Sequence, residues 1–540
     1  MAELSQQTRK LIQRYQDWHQ SLQPKKGVPT LHVDEVASKV AIFYEKIRGI
    51  IDWKEEHLLR RRAIERIIKR RLFSRINLEN GKFTGKGIAE PLVLELIRGG
   101  HFPNDKIEET KIPEVQKSLD KYIFILNNSP HSSEKSKLRL YGWLSSICAC
   151  EIEEILESSI KERALIDYMF GIMKERIVLN EGILKIKGIS EKEKNTQIYI
   201  AVQRALFKLD SPVITYHLLK YKFPNWRNPS PELLNNLAKN IYSLIKELEK
   251  ELNHRLADKF YHICEKYDTP FLLLGDIISE EPFSISEKIS NPEKLETLIK
   301  KAYQKRLKTL KARLGRAAFY STLSIFLTNI VSLLAIEIPA TKILTGHFNF
   351  LAIGVDILGP TFLMFFLVIT IKPPKKGNLE RVIMETIKIA YQKENKDIYE
   401  IRTFSKGNII LRFLATVLYI IFFLIIVGVI FWFLYQIKFP PLSYMIFLVF
   451  LSLIAFAGAK IRQRAKELQV IEEKEGLFHF IVDPFAIPLI QLGKWLTVKW
   501  KRYNVIAAIF SALIDLPFLV FVEFLEQWRY FLKEKKEEIH

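Results

Sequence analysis

Residues 300–316 read KKAYQKRLKTLKARLGR, and residues 317–338 continue AAFYSTLSIFLTNIVSLLAIEI. Eight cations without an acid are followed by a stretch whose single formal charge is Glu337, close to its far end. About 20 apolar residues at roughly 1.5 Å each cross the hydrocarbon core of a bilayer. A flanking cluster of Lys and Arg stays on the cytoplasmic side. The junction therefore reads as a membrane helix entering from the inside. Upstream, Asn291-Pro292 supplies an N-cap residue and a proline at the first helical position. Gly315 is the one weak point before the apolar span. A single helix is expected to run from the soluble part into the membrane and to couple the two rigidly.

Working toward the C-terminus, 350–371, 409–436 and 442–459 have the same length and polarity as 317–338. Backbone groups in hydrocarbon must bond within their own segment, so apolar runs of this length are helices. Cations alternate with them: Lys372, Lys375 and Lys376 follow the second span, Arg402, Lys406 and Arg412 precede or open the third, and Lys460, Arg462, Arg464 and Lys466 follow the fourth. The opposite loops hold only Lys342 and Lys438. The expected topology has about four crossings, with the N-terminus cytoplasmic and a bacterial-type plasma membrane as the default. Trp432, Tyr435 and Tyr444 fall near the outer boundary, where interfacial aromatics gather. Further on, 478–498 is interrupted by Asp483-Pro484, Pro488 and Lys494, and 505–524 by Asp515, Pro517 and Glu523. These two are expected to lie as an amphipathic or re-entrant pair at the cytoplasmic face, with a hairpin or a fifth span as the competing arrangement.

The remaining sequence is charged and helical in period. Net charge is +21 while mean hydropathy is only +0.04, the average of an apolar part diluted by a strongly charged one. Val36, Val40, Phe43, Ile47, Ile50 and Ile51 recur at helical spacing. Ser211-Pro212 and Ser230-Pro231 read as helix starts, Ser133 as the cap of a long helix, and Gly99-Gly100 as the end of a short one. The fold class expected is all-α: a helix-rich cytoplasmic domain at 1–300, a transmembrane bundle at 301–475 and a membrane-associated region at 476–540. Cys148, Cys150 and Cys264 are too few and too spread for a disulfide framework or a tetrahedral metal site.

No catalytic or cofactor signature emerges, and neither a metal nor a cofactor is expected. Gly81-Lys-Phe-Thr-Gly-Lys-Gly87 lacks the Ser or Thr and the preceding strand of a phosphate-binding loop, and reads as a turn. His254, Asp258 and His262 are spaced to share a helical face, but zinc helices set their histidines four apart. The strongest basic run is 59–72, where Arg60, Arg61, Arg62, Arg66, Lys69, Arg70 and Arg71 surround an apolar stripe of Ile64, Ile67, Ile68 and Leu72. Such a helix packs on a core with a solvated cationic face, or binds anionic lipid headgroups or a protein partner. No nucleic-acid motif accompanies the charge, so nucleic acid is the least expected partner. Ionisable groups in the apolar part are costly and usually persist when paired or functional, which makes Asp356 beside Gly359-Pro360, then Asp515 and Glu337, candidates for an ion pathway. The competing reading is that Asp356 hydrogen-bonds within the bundle or reaches the outer interface. Three functions follow in order of expectation. The first is a membrane-anchored scaffold or tether, the second a small ion or proton transporter or channel using Asp356, and the third a membrane enzyme acting on lipid or peptide.

Overall fold

The computed structural model describes residues 3–23, 27–34, 56–73, 83–131, 133–179, 189–334, 350–371, 377–391, 397–401, 409–437, 441–470 and 486–497, with isolated positions elsewhere. It is predominantly helical, as the sequence implies, and its named strands are only three residues each. Two compact units divide the chain. One is built from 4–286, 394–401 and 509–540, and the other from 287–393 and 402–508 with the first three residues.

The N-terminal unit holds α1 (Gln6–Ser21), α2 (Glu56–Phe73), α3 (Ala89–Arg98), α4 (Lys111–Asn128), α5 (Glu134–Leu156), α6 (Ile160–Arg176), β1 (Ile177–Leu179), α7 (Glu191–Phe207), α8 (Ser211–Lys222), α9 (Pro231–Leu252), α10 (Ala257–Lys266) and α11 (Asp268–Glu280). Local chemistry sets the boundaries. Ser133 and Ser136 form a reciprocal capping box at the start of α5. Gly99 caps α3, and Gly100 takes the positive φ of 74° that closes it. Ser230 caps α9 as its sequence implies, whereas α8 is capped by Asp210, one residue before the expected Ser211. The apolar stripes of α2, α3, α4 and α5 meet in a core that includes Ile64, Ile68, Leu92, Leu119, Leu144 and Ile147. From far along the chain, Tyr399–Ile401 forms β2 and pairs parallel with β1. Tyr399 stacks on Tyr267 with ring centroids 4.3 Å apart.

After α12 (Ile285–Ile289), which spans the boundary between the units, the second unit holds α13 (Pro292–Ser332), α14 (Phe350–Ile369), α15 (Gly377–Tyr391), α16 (Ile409–Gln436) and α17 (Pro441–Ala465). Asn291 caps α13 by accepting from the Glu293 and Lys294 amides, and the helix then runs unbroken past Gly315 for 41 residues. Helix α13 packs against α14, α15 and α17, and α16 lies against α17. Asn378 ties the polar ends together. Its Nδ2 donates to the Tyr303 hydroxyl at 3.1 Å and the Leu468 carbonyl at 2.6 Å, while its Oδ1 accepts from the Val470 amide at 2.8 Å.

Two helices, Thr416–Gln436 and Ser443–Ala465, are long and apolar enough to cross a membrane, and Gly354–Ile369 is a shorter apolar helix. Their burial is inverted relative to a water-soluble fold. Phe362, Phe366, Leu424 and Trp432 point outward, whereas Ser321, Asn329, Asp356, Ser443 and Ser452 are buried. Helical residues 486–497 pack on α17 through Gly493, where a Cβ would strike the Ser452 carbonyl, and Tyr419 donates to Gln491 at 2.9 Å.

Candidate functional site

The basic helix α2 is packed rather than presented. Ala63, Ile64, Ile67, Ile68 and Leu72 are buried against α3 and α5. Its cations meet acids of the same unit. Arg60 pairs with Glu157, and Arg61 bridges Glu65 at 2.9 Å and Asp210 at 2.5 Å. Lys69 reaches Glu65 at 2.5 Å, while Arg70 and Arg71 converge on Glu95 at 2.5 and 2.7 Å. Arg62 and Arg66 are half-buried. Sequence spacing located this helix and its stripe. Glu65 is four residues from Arg61 and Lys69 on the same helix, but the other acids that neutralise it come from 24 to 149 residues away, beyond the reach of any local pattern.

Deeper in the same unit, Lys121 on α4 donates to both Glu151 oxygens at 2.6 and 2.7 Å and to the Trp226 carbonyl at 2.9 Å. Tyr122 donates to Glu151 at 2.9 Å, and the Trp226 indole N–H donates to the Tyr122 hydroxyl at 3.0 Å. Burial lowers the Lys121 ammonium pKa despite its Glu151 partner, and burial pushes the Cys148 thiol up. Nearby, burial would raise Glu154, but Lys220 at 2.5 Å and Arg163 at 2.7 Å bring it down to about 2. These are closed networks, with hydrogen bonds directed inward at named partners. The adjoining cavity between α2, α4 and α5, lined by Ile68, Leu119, Tyr122 and Cys148, holds about 10 Å³, room for one water at most.

Other sequence candidates resolve individually. Phe83 exchanges two hydrogen bonds with Asn127, and the Gly85 carbonyl accepts from Gln116 at 2.8 Å, so the Gly-rich stretch from residue 83 is pinned to α4. His254 precedes α10, so the expected row of His254, Asp258 and His262 does not share one helix; His254 faces Glu193 at 3.3 Å and His262 faces Glu265 at 3.7 Å. All three cysteines are buried and free. Among the described residues no group of three or more His, Cys, Asp or Glu side chains is placed to hold a metal ion. Glu337, Asp483, Asp515 and the stripe from Val36 to Ile51 other than Val40 lie outside the described residues.

Two arrangements remain in the second unit. One is a buried polar level: Asp356 is 1% exposed and Asn329 fully buried, with Asn329 Nδ2 donating to the Asp356 carbonyl at 3.1 Å. The other is a cationic collar. Leu314 of α13, Ile371 just beyond α14 and Ile461 of α17 belong to one apolar cluster. In the sequence Arg313 and Arg316 flank Leu314, Lys372 follows Ile371, and Lys460 and Arg462 flank Ile461. On α13 the outward residues change from Lys308, Lys311, Arg313 and Arg316 to Phe319, Tyr320, Leu323 and Leu327 within a single turn. The chain matches no family model, no curated protein and no solved structure.

Proposed function

We propose that this chain is a membrane-anchored scaffold. Helices at 317–338, 350–371, 409–436 and 442–459 cross a bacterial-type plasma membrane, the N-terminus is cytoplasmic, and the N-terminal unit is presented to a protein partner along an anionic lipid surface. The observation that carries the reading is the change along α13 from exposed cations to exposed apolar residues. The sequence supports it too, since Lys372 follows the second apolar run and Lys460 and Arg462 follow the fourth, and Lys and Arg gather at the cytoplasmic ends of helices that cross a bilayer. Lipid contact belongs to the collar rather than to α2, whose Arg60, Arg61, Lys69, Arg70 and Arg71 already serve acids of their own unit.

Two measurements test this. Membrane-impermeant maleimide should reach Thr341→Cys in intact cells and Gln304→Cys only in inverted vesicles; labelling of both from one side would end the four-crossing topology. Crosslinked native membranes should yield one stoichiometric protein partner with the full-length chain. That partner should be lost on Leu22→Glu with Phe283→Glu, which alter exposed apolar residues beside His19. Recovery of no stoichiometric partner from the parent chain would remove the scaffold reading.

A further inference from the structure

Pro360 sits inside α14 and has no N–H, so the carbonyl four residues earlier, that of Asp356, loses its helical donor. Asn329 Nδ2 supplies the replacement at 3.1 Å from α13. Only the amide nitrogen donates, so this bond fixes the orientation of the carboxamide. It leaves Oδ1 as a fully buried acceptor with no hydrogen-bond partner among the described residues. The Asp356 carboxyl, itself 1% exposed, belongs to the residue whose carbonyl Asn329 holds. Ser321 lies two turns back along α13, about 12 Å toward the collar. Its buried Oγ likewise has no partner among the described residues, and Ser452 of α17 is buried as well.

We propose that Asp356 and Asn329 form an intramembrane site for a single positive charge. It is either a proton carried by the Asp356 carboxyl or a small monovalent cation held between that carboxylate and Asn329 Oδ1. A set of oxygen acceptors suits a hard cation or a proton and rejects anions. Acids buried among membrane helices are where such sites are built. Segments 317–334, 350–371 and 441–459, which pack around this level, contribute no other charged side chain; Tyr320 and Tyr444 are their remaining titratable groups. The inference rests on the reading that α13 and α14 cross a membrane, and it goes beyond anchoring.

The test uses full-length protein in proteoliposomes, with Pro360→Ala as the key background. Alanine restores the backbone donor to the Asp356 carbonyl, so Asn329→Leu in that background removes Oδ1 without orphaning a carbonyl. Melting temperatures are compared in sodium, lithium and choline chloride at one pH and ionic strength, beside infrared spectra of the protonated-carboxyl region. A rise with sodium or lithium, lost in Asp356→Asn and in the Asn329→Leu, Pro360→Ala protein, assigns the cation. A protonated-carboxyl band lost in Asp356→Asn and shifted in the double variant, with no sodium response, assigns the proton. Absence of both signals, or either signal unchanged in Asp356→Asn, overturns the site. Maleimide accessibility of Gln304→Cys and Thr341→Cys on the same vesicles reports crossing separately, so failure of the membrane reading and failure of the site are told apart.

Discussion

Lys121 with Glu151 in one unit, and Asn329 with Asp356 in the other, are polar groups withdrawn from solvent to a similar degree but set in opposite surroundings. The first lies in an apolar core beneath a charged surface, and its carboxylate is met by an ammonium and a phenol. The second lies inside helices whose outward residues are Phe, Leu and Trp. Water rewards the first arrangement, because burial of apolar side chains drives folding and each buried polar group must be bonded. Lipid removes the hydrophobic drive between helices, so small and polar residues turn inward and large apolar ones face out. The contrast is the one expected if, as proposed above, the outward face of the second unit meets lipid.

The largest expected effect tests the water-soluble side of that contrast. Lys121→Met leaves Glu151 ionised and buried, and breaking a buried pair on one side costs about 3–5 kcal/mol. The first unit should melt far earlier by circular dichroism. Lys121→Met combined with Glu151→Leu should recover much of that loss, since replacing both partners removes the stranded charge. A single variant that melts with the parent would mean the network is not closed.

The next effect compares two residues of similar exposure. Leu138 on α5 is 59% exposed and Phe362 on α14 is 67% exposed. Leu138→Arg should change stability by no more than about 0.5 kcal/mol, as surface changes away from special features do. Phe362→Arg, near the middle of its helix, should lower membrane integration by about 2.5–3.5 kcal/mol on insertion scales. Carbonate extraction reads that loss directly. Equal tolerance at both positions would show that the outward apolar face does not meet lipid.

Much of this contrast was legible from residues 291–338 alone, because caps, breakers and apolar length are local signals. Asn291-Pro292 starts α13, and Gly315 fails to stop it because an isolated glycine costs a long helix only about 1 kcal/mol. What sequence reading missed is non-local. Arg70 and Arg71 looked like a free cationic face because Glu95 lies on another helix. Strand β2 pairs with β1 across more than two hundred residues, with Ile177 opposite Tyr399. Asp356 drew notice as a charge in an apolar run, while Asn329 did not. A carboxamide in such a run is also a signal, and Pro360 indicates which carbonyl needs it.

The smallest expected effect concerns an acid in the first unit whose neighbours are already engaged. Burial raises the Glu153 carboxyl to about 7 from an ordinary 4.5, against the opposing pull of Arg60 and Arg61. Those guanidiniums are held by Glu157, Glu65 and Asp210, so they stabilise the Glu153 anion only in part. Between pH 4.5 and 7 the folded state therefore binds more protons at this site than the unfolded chain, and its contribution to stability falls as pH rises. Glu153→Gln should match the parent below that window and exceed it above pH 7 by on the order of 1–3 kcal/mol, at about 1.4 kcal/mol per pKa unit. Glu154, held low by Lys220, and His217, pushed by burial down to about 3, move stability the other way, but both remain in the variant and cancel in the difference. Parallel melting curves across pH 4 to 8 would mean that Glu153 reaches water, and that the first unit is looser at α5 than its ion pairs imply.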